Sequence, residues 1–160
     1  MYDEFRASSL LLLTRKGKPK LRSDHRSRRP FSRLGAIDVP GSLFVRDEIL
    51  LLERLYRQFN AREIENVLTV LHEEVAWANG MEGGYVHGRN GVRGYWRRQW
   101  AMIDPKVEPT GFSRGAHGEI VVEVHQTVRD LRGELLSERM VGHIFRIENG
   151  LVTRFDIRKP

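Results

Sequence analysis

The sequence contains no cysteine, which excludes disulfide bonds and thiolate metal sites at any of its 160 positions. It also has no apolar run near the roughly 18 residues that a membrane-spanning helix needs. Its first residues do not follow the pattern of a secretory signal. Asp3 and Glu4 stand where positive charge is expected, and the apolar stretch Leu10–Leu13 is short. These absences predict a soluble cytoplasmic protein with no membrane partner.

The positive charge is confined to the start of the chain. Ten Lys or Arg and four Asp or Glu fall within residues 1–40, whereas residues 41–160 carry 17 of each sign. The whole net charge of +6 therefore belongs to the first quarter of the sequence. A basic overall composition is a reason to consider nucleic acid as a partner, but the remainder of the chain does not share it.

Residues 1–44 are predicted to form a basic, disordered arm. The segment RKGKPKLRSDHRSRRPFSR has high charge, few apolar residues and no periodicity. Such an arm is able to bind nucleic acid or an acidic surface through charge alone. It has no interleaved aromatic residues and no zinc-ligand spacing, so nucleic acid is only a weak possibility beside a simply solvated arm.

Two helical patterns follow the arm. The first has apolar side chains at helical spacing, at Leu52, Leu55, Tyr56 and Phe59. The second begins with Asn60 and Glu63, whose spacing resembles a capping box. Its apolar stripe consists of Ile64, Val67, Leu68 and Leu71.

A short strand and a third helix come next. The strand is predicted at Val75–Asn79, followed by a glycine-rich connection that matches neither common phosphate-binding motif. The sequence VRGYWRRQW then predicts a helix capped by Asn90 and ended by Asp104-Pro105. Strands are predicted at about 107–114, 119–129, 135–148 and 151–158. Helices followed by antiparallel strands indicate an α+β fold.

The last two strands place a histidine on an apolar face. Asn149-Gly150 suits a two-residue hairpin turn. On the strand before it, His143 shares a face with Val141, Phe145 and Ile147 because side chains alternate along a strand. This histidine is open to three interpretations: a neutral packing residue, a ligand contact, or an acid–base catalyst. His125 lies on the opposite face from its apolar neighbours and is not a catalytic candidate.

The order of these elements resembles the nuclear transport factor 2-like superfamily, in particular its SnoaL-like and ketosteroid-isomerase-like members. The resemblance covers residues 45–160 and is strongest at Leu71–Asn79, Gly88–Trp96 and Val141–Asp156. It implies a cone-shaped, curved antiparallel sheet wrapped around about three N-terminal helices, with an apolar pocket. It further implies a small hydrophobic ligand and a homodimer formed through the sheet.

The resemblance does not carry over one reaction. Asn79 stands where a ketosteroid isomerase has its carboxylate base, Leu55 stands where it has its tyrosine, and His143 stands where it has a protonated acid. Tyr56 is adjacent to the tyrosine position but about 100° around the helix. SnoaL-type cyclases use an aspartate base near the position of His143. Authentic isomerase activity is therefore not expected.

We expect a small-molecule pocket protein that acts by acid–base chemistry on a small hydrophobic carbonyl or polyketide-like compound. The alternative is a non-catalytic ligand-binding or dimerisation module. His143 is the catalytic candidate, and the ligand-binding candidates are Tyr56, Trp77, Asn79 and Trp96. No metal site and no cofactor are expected. Arg154 and Asp156 share a strand face and form either an ion pair beside His143 or a solvated stripe.

Overall fold

The computed structural model describes residues 41–158, with side chains from residue 45. Its helices are α1 (Gly41–Asn60), α2 (Ile64–Leu68) and α3 (Gly88–Trp100). Its strands are β1 (Leu71–Ala78), β2 (Tyr85–His87), β3 (Ile103–Arg114), β4 (Ile120–Asp130), β5 (Leu135–Glu148) and β6 (Leu151–Arg158). Helix α1 begins four residues inside the predicted arm. The remainder of that arm, and any nucleic-acid contact it makes, lies outside the described residues.

The six strands form one sheet in the order β2-β1-β6-β5-β4-β3. Four neighbouring pairs are antiparallel, whereas β1 and β6 run parallel, so the sheet is mixed and not wholly antiparallel. The sheet curls around the helices, and the predicted α+β class is confirmed. Among residues 41–158, no helix is both long and apolar enough to cross a bilayer.

The core lies between the helices and the concave face of the sheet. On β4, Ile120, Val122 and Val124 are buried while Glu123 between them is exposed, as alternation predicts. The four apolar positions predicted for α1 are all buried. These side chains anchor α1 against the sheet, since burial of apolar surface is the main force that holds such layers together.

The predicted second helix is wrong in its length and in its cap. Asn60 does not cap α2; its side chain exchanges two hydrogen bonds with the backbone of Val107 at 2.8 and 3.0 Å. Leu71 belongs to β1, where it pairs with Val152 of β6. Strand β1 is therefore four residues longer at its start than predicted. Pairing with a distant strand overrides the local helical pattern here.

The third helix and its flanks also differ from the prediction. Its N-cap is His87, so Asn90 lies inside the first turn, and strand β2 just before it was not predicted. Asp104-Pro105 does not end the helix but lies within β3. A proline is accommodated there because β3 is an edge strand of the sheet.

The predicted hairpin turn is confirmed. Asn149 and Gly150 have φ values of 51° and 75°, the left-handed conformation that a type I′ turn requires at both central positions. The turn fixes the register of β5 against β6, in which His143 lies opposite Ile157. A local sequence signal therefore sets the position of the candidate residue.

Candidate functional site

A cavity of about 860 Å³ lies between the concave face of the sheet and helices α1 and α3. This volume is within the range of small-molecule sites. Its wall is mainly apolar and aromatic, with Leu55, Phe59, Trp77, Trp96, Phe145 and Phe155 among its residues. The polar side chains on the wall include Tyr56, Tyr95, Gln99, Gln126, Arg139 and His143. The cavity therefore suits an apolar compound with few polar groups.

His143 lies on the cavity wall and is 7% exposed. Strand alternation places it between the buried side chains of Val141 and Phe145, as the sequence predicts. The ring of Phe155 packs edge-on against the imidazole, with 4.9 Å between ring centroids. The histidine is thus held in an apolar setting by its own strand and by β6.

The hydroxyl of Tyr56 lies 2.9 Å from Nδ1 of His143. Tyr56 is 2% exposed, and its ring stacks on the imidazole with 5.9 Å between centroids. Among the described residues, this is the one hydrogen bond that the Tyr56 hydroxyl makes, and Nε2 of His143 makes none. The pair therefore satisfies Nδ1 and leaves Nε2 for a ligand in the cavity.

Burial keeps both members of this pair neutral. It lowers the pKa of His143 to about 3, and it raises the pKa of Tyr56 well above its ordinary value. A buried hydroxyl with no other acceptor is satisfied best by donating to Nδ1. Nε2 then carries the imidazole proton, so His143 presents a hydrogen-bond donor to the cavity and not a base.

The two predicted tryptophans lie together on the wall. Trp77 packs edge-on against Trp96 with 5.1 Å between centroids, and it stacks on Phe155 at 4.1 Å. Trp96 is almost fully buried and also contacts Phe59. These rings serve at once as core and as cavity lining, and their role as ligand contacts stays a prediction.

Asn79 also lies on the wall, but its amide group is occupied by the turn that follows β1. Its Oδ1 accepts the backbone N–H groups of Met81 and Glu82 at 3.0 and 2.9 Å. Its Nδ2 donates to the carboxylate of Glu82 at 3.0 Å. The side chain therefore stabilises the β1–β2 connection, and its role as a ligand contact stays a prediction.

Arg154 and Asp156 do form an ion pair, at 2.7 Å, but on the other face of β6 from the buried Phe155. The hydroxyl of Tyr85 hydrogen-bonds to both of them. His125 likewise lies on the outer face, 3.0 Å from the carboxylate of Glu138. Asp156 borders the same cavity as His143, but among the described residues no hydrogen bond joins Arg154, Asp156 or His125 to His143.

Sequence analysis did not identify Tyr95 as a polar residue of the site. Its hydroxyl accepts hydrogen bonds from the backbone N–H of Gly80 and from the amide of Gln99. The i, i+4 spacing of Tyr95 and Gln99 on α3 is the one sequence signal for this contact. Within residues 41–158, no group of three or more His, Asp or Glu residues is arranged to hold a metal ion.

Comparison with known proteins agrees with this geometry. The sequence profile of the SnoaL-like domain matches residues 52–155. No protein with a curated description matches the sequence.

Solved structures with the nuclear transport factor 2-like fold are similar over most of the described chain. One, a protein of unknown function from Burkholderia pseudomallei, is 25% identical, with a TM-score of 0.63 over 71% of this chain and 91% of its own. TerC, crystallised with polyporic acid, is 23% identical, with a TM-score of 0.63 over 71% and 92%. A candidate polyketide cyclase from Xanthomonas campestris is 18% identical, with a TM-score of 0.62 over 72% and 91%. The last two structures share the fold of this chain.

Proposed function

This chain belongs to the family of SnoaL-like domains, and we propose that it binds a small, largely apolar carbonyl compound through His143. The observation that carries the proposal is the hydrogen bond between Tyr56 and His143 on the wall of an apolar cavity of about 860 Å³. The hydroxyl of Tyr56 donates to Nδ1, so the Nε2–H group is left to donate to the ligand. A ketone oxygen is the acceptor that such a donor fits.

The same geometry limits the acid–base chemistry expected of His143. An imidazole whose pKa is about 3 is a poor proton acceptor at neutral pH. A neutral imidazole still polarises a carbonyl and stabilises negative charge that develops on its oxygen. We therefore assign His143 the role of hydrogen-bond donor, in binding and in any enolisation of the ligand, in place of general base.

The cavity also supports a ligand-binding function over a purely structural module. A dimerisation domain has no need for an open apolar cavity lined by a hydrogen-bonded polar pair, because burying polar groups costs free energy. The wall residues Trp77 and Trp96 supply the apolar contact area of the proposed site.

Fluorenone and fluorene test the proposal, because they share one skeleton and differ in a carbonyl oxygen. In the native protein, the ratio of the affinity for fluorenone to the affinity for fluorene should be about five times the same ratio in a variant with no donor. The reason is that a neutral hydrogen bond contributes about 1 kcal/mol. Quenching of tryptophan fluorescence measures both affinities. Comparing the ratio of the two affinities between proteins removes the difference in hydrophobicity between the ligands.

The matched variant is Tyr56→Phe/His143→Phe, which removes both partners of the buried hydrogen bond and keeps two aromatic rings. Removing both leaves no unsatisfied polar group, so the fold should persist. Tyr56→Phe alone retains His143 and should keep part of the preference. An unchanged ratio of affinities in the double variant would overturn the role of His143, and no binding of either compound would overturn the ligand class.

We further propose a cytoplasmic homodimer formed through the outer face of the sheet. Support comes from Met140, which is 46% exposed on that face and lies opposite His125 in the β4–β5 register. Light scattering should give twice the mass of one chain for the native protein and the mass of a single chain for Met140→Lys. A monomeric native protein would contradict this part of the proposal.

A further inference from the structure

The hydroxyl of Tyr95 has both of its acceptor positions filled. The backbone N–H of Gly80 donates to it at 3.1 Å, and Nε2 of Gln99 donates at 3.2 Å. A phenolic oxygen accepts through two lone pairs and donates one proton. Within residues 41–158, the structure contains no hydrogen bond in which Tyr95 donates, so none of these residues accepts its proton.

That proton stays on the oxygen, where a ligand in the cavity is able to accept it. Burial raises the pKa of Tyr95 to about 12, and the residue lies on the cavity wall. With both lone pairs held by N–H groups, the O–H bond points away from them. Tyr95 is therefore oriented as a donor, and the two N–H groups polarise it in the direction that strengthens donation.

Tyr95 and His143 flank the same stretch of wall. Gly80 lies between Ile157 and Tyr95. The position that a Cβ atom would take at Gly80 is 3.2 Å from Cδ1 of Ile157 and 3.7 Å from the hydroxyl oxygen of Tyr95. Cδ1 of Ile157 and the hydroxyl oxygen of Tyr95 are therefore within about 7 Å of each other. Ile157 is the register partner of His143 on the adjacent strand. Its side chain thus separates two donors that approach the cavity from α3 and from β5.

We propose that Tyr95 is a second ligand-binding residue and that the ligand carries two acceptor oxygens on one apolar framework, as a diketone or quinone does. One oxygen accepts from Nε2 of His143 and the other accepts from the hydroxyl of Tyr95. This inference rests on the proposed function, because the first oxygen is the one assigned there to His143. It adds a requirement for the second oxygen and for its distance from the first.

Two ligand pairs of different oxygen separation test the inference. Anthraquinone is compared with anthrone, handled without oxygen, and androstanedione is compared with androstanone. In at least one pair, the native protein should bind the two-oxygen compound about fivefold more tightly than its one-oxygen counterpart. Tyr95→Phe should abolish this gain, so that the two compounds of that pair bind with similar affinity.

Substitutions of Gln99 separate donation by Tyr95 from a purely structural role. Gln99→Glu presents an acceptor to the Tyr95 hydroxyl, captures its proton and should abolish the gain. Gln99→Leu removes one of the two donors but offers the Tyr95 hydroxyl no acceptor, so a ligand oxygen is still able to accept its proton and the gain should persist. These variants keep the Tyr95 ring and its bond from Gly80, and they test the inference even if Tyr95→Phe unfolds.

The outcomes distinguish this inference from the proposed function. Binding of the one-oxygen compounds with no gain from a second oxygen in either pair would overturn the role of Tyr95 alone. A gain that survives in both Tyr95→Phe and Gln99→Glu would overturn it as well. Failure of every ketone to bind would overturn the proposed function and this inference together.

Discussion

Replacing Trp96 with alanine should lower the free energy of unfolding by about 3–5 kcal/mol. Trp96 is 1% exposed and packs against the rings of Phe59, Trp77 and Trp100, with centroids 5.1–5.9 Å away. Alanine removes these ring contacts and leaves a void beside the cavity, and both effects destabilise the fold. The loss would be a large fraction of the 5–15 kcal/mol that typically stabilises a domain.

Urea unfolding followed by circular dichroism measures this change. Leu131→Ala is the control, because Leu131 is 63% exposed and its truncation should alter stability by no more than about 0.5 kcal/mol. Equal effects of the two substitutions would contradict the burial of Trp96. The test concerns the fold only and is independent of any ligand.

The last two strands and their turn could be predicted from the sequence because their signals are local. Asn149-Gly150 specifies a turn with two positive φ values, and alternation then fixes which side chains of β5 and β6 face the core. The observed bounds Leu135–Glu148 and Leu151–Arg158 match the predicted ones. The same parity argument correctly placed His143 on the buried face.

The region from Asn60 to Leu71 could not be predicted in this way. Its apolar residues fit a helix, but the backbone at Leu71 pairs with Val152, some 80 positions later in the chain. The side chain of Asn60 hydrogen-bonds to the backbone of Val107 instead of capping the helix that follows it. Pairings across such separations leave no periodic trace in the local sequence.

The candidate site could likewise be predicted only in part. Tyr56 and His143 were identified separately, but their hydrogen bond depends on how α1 crosses the sheet. Tyr95 was not identified as a polar residue of the site, because the partner that reveals its hydroxyl, the N–H of Gly80, belongs to a turn of the β1–β2 connection. Sequence indicated the residue types, and the tertiary structure determined which atoms were left for a ligand.

Acidification from pH 6.5 toward pH 4.5 should destabilise the protein through His143 by about 1.4 kcal/mol per pH unit. In the unfolded chain this histidine binds a proton below its ordinary pKa of 6.5, whereas burial holds the folded pKa at about 3. Between these values the unfolded state binds more protons, so the free energy of unfolding rises with pH. The contribution of His143 to the free energy of unfolding is fully present above pH 6.5 and is lost as the pH falls below this value.

The window above pH 4.5 separates His143 from the acidic side chains. The pKa of Asp130 is lowered by the backbone N–H of Glu134 from an ordinary value of 3.8, so its contribution is lost in more acidic solution. Urea unfolding of the native protein and of Tyr56→Phe/His143→Phe, at pH values from 7 to 4.5, isolates the effect because the variant retains every other histidine. The native curve should fall by about 2–3 kcal/mol more than the variant curve over this range. Parallel curves would mean that His143 takes up a proton in the folded state near its ordinary pKa, which would restore it as a candidate general base and contradict its assignment as a neutral donor.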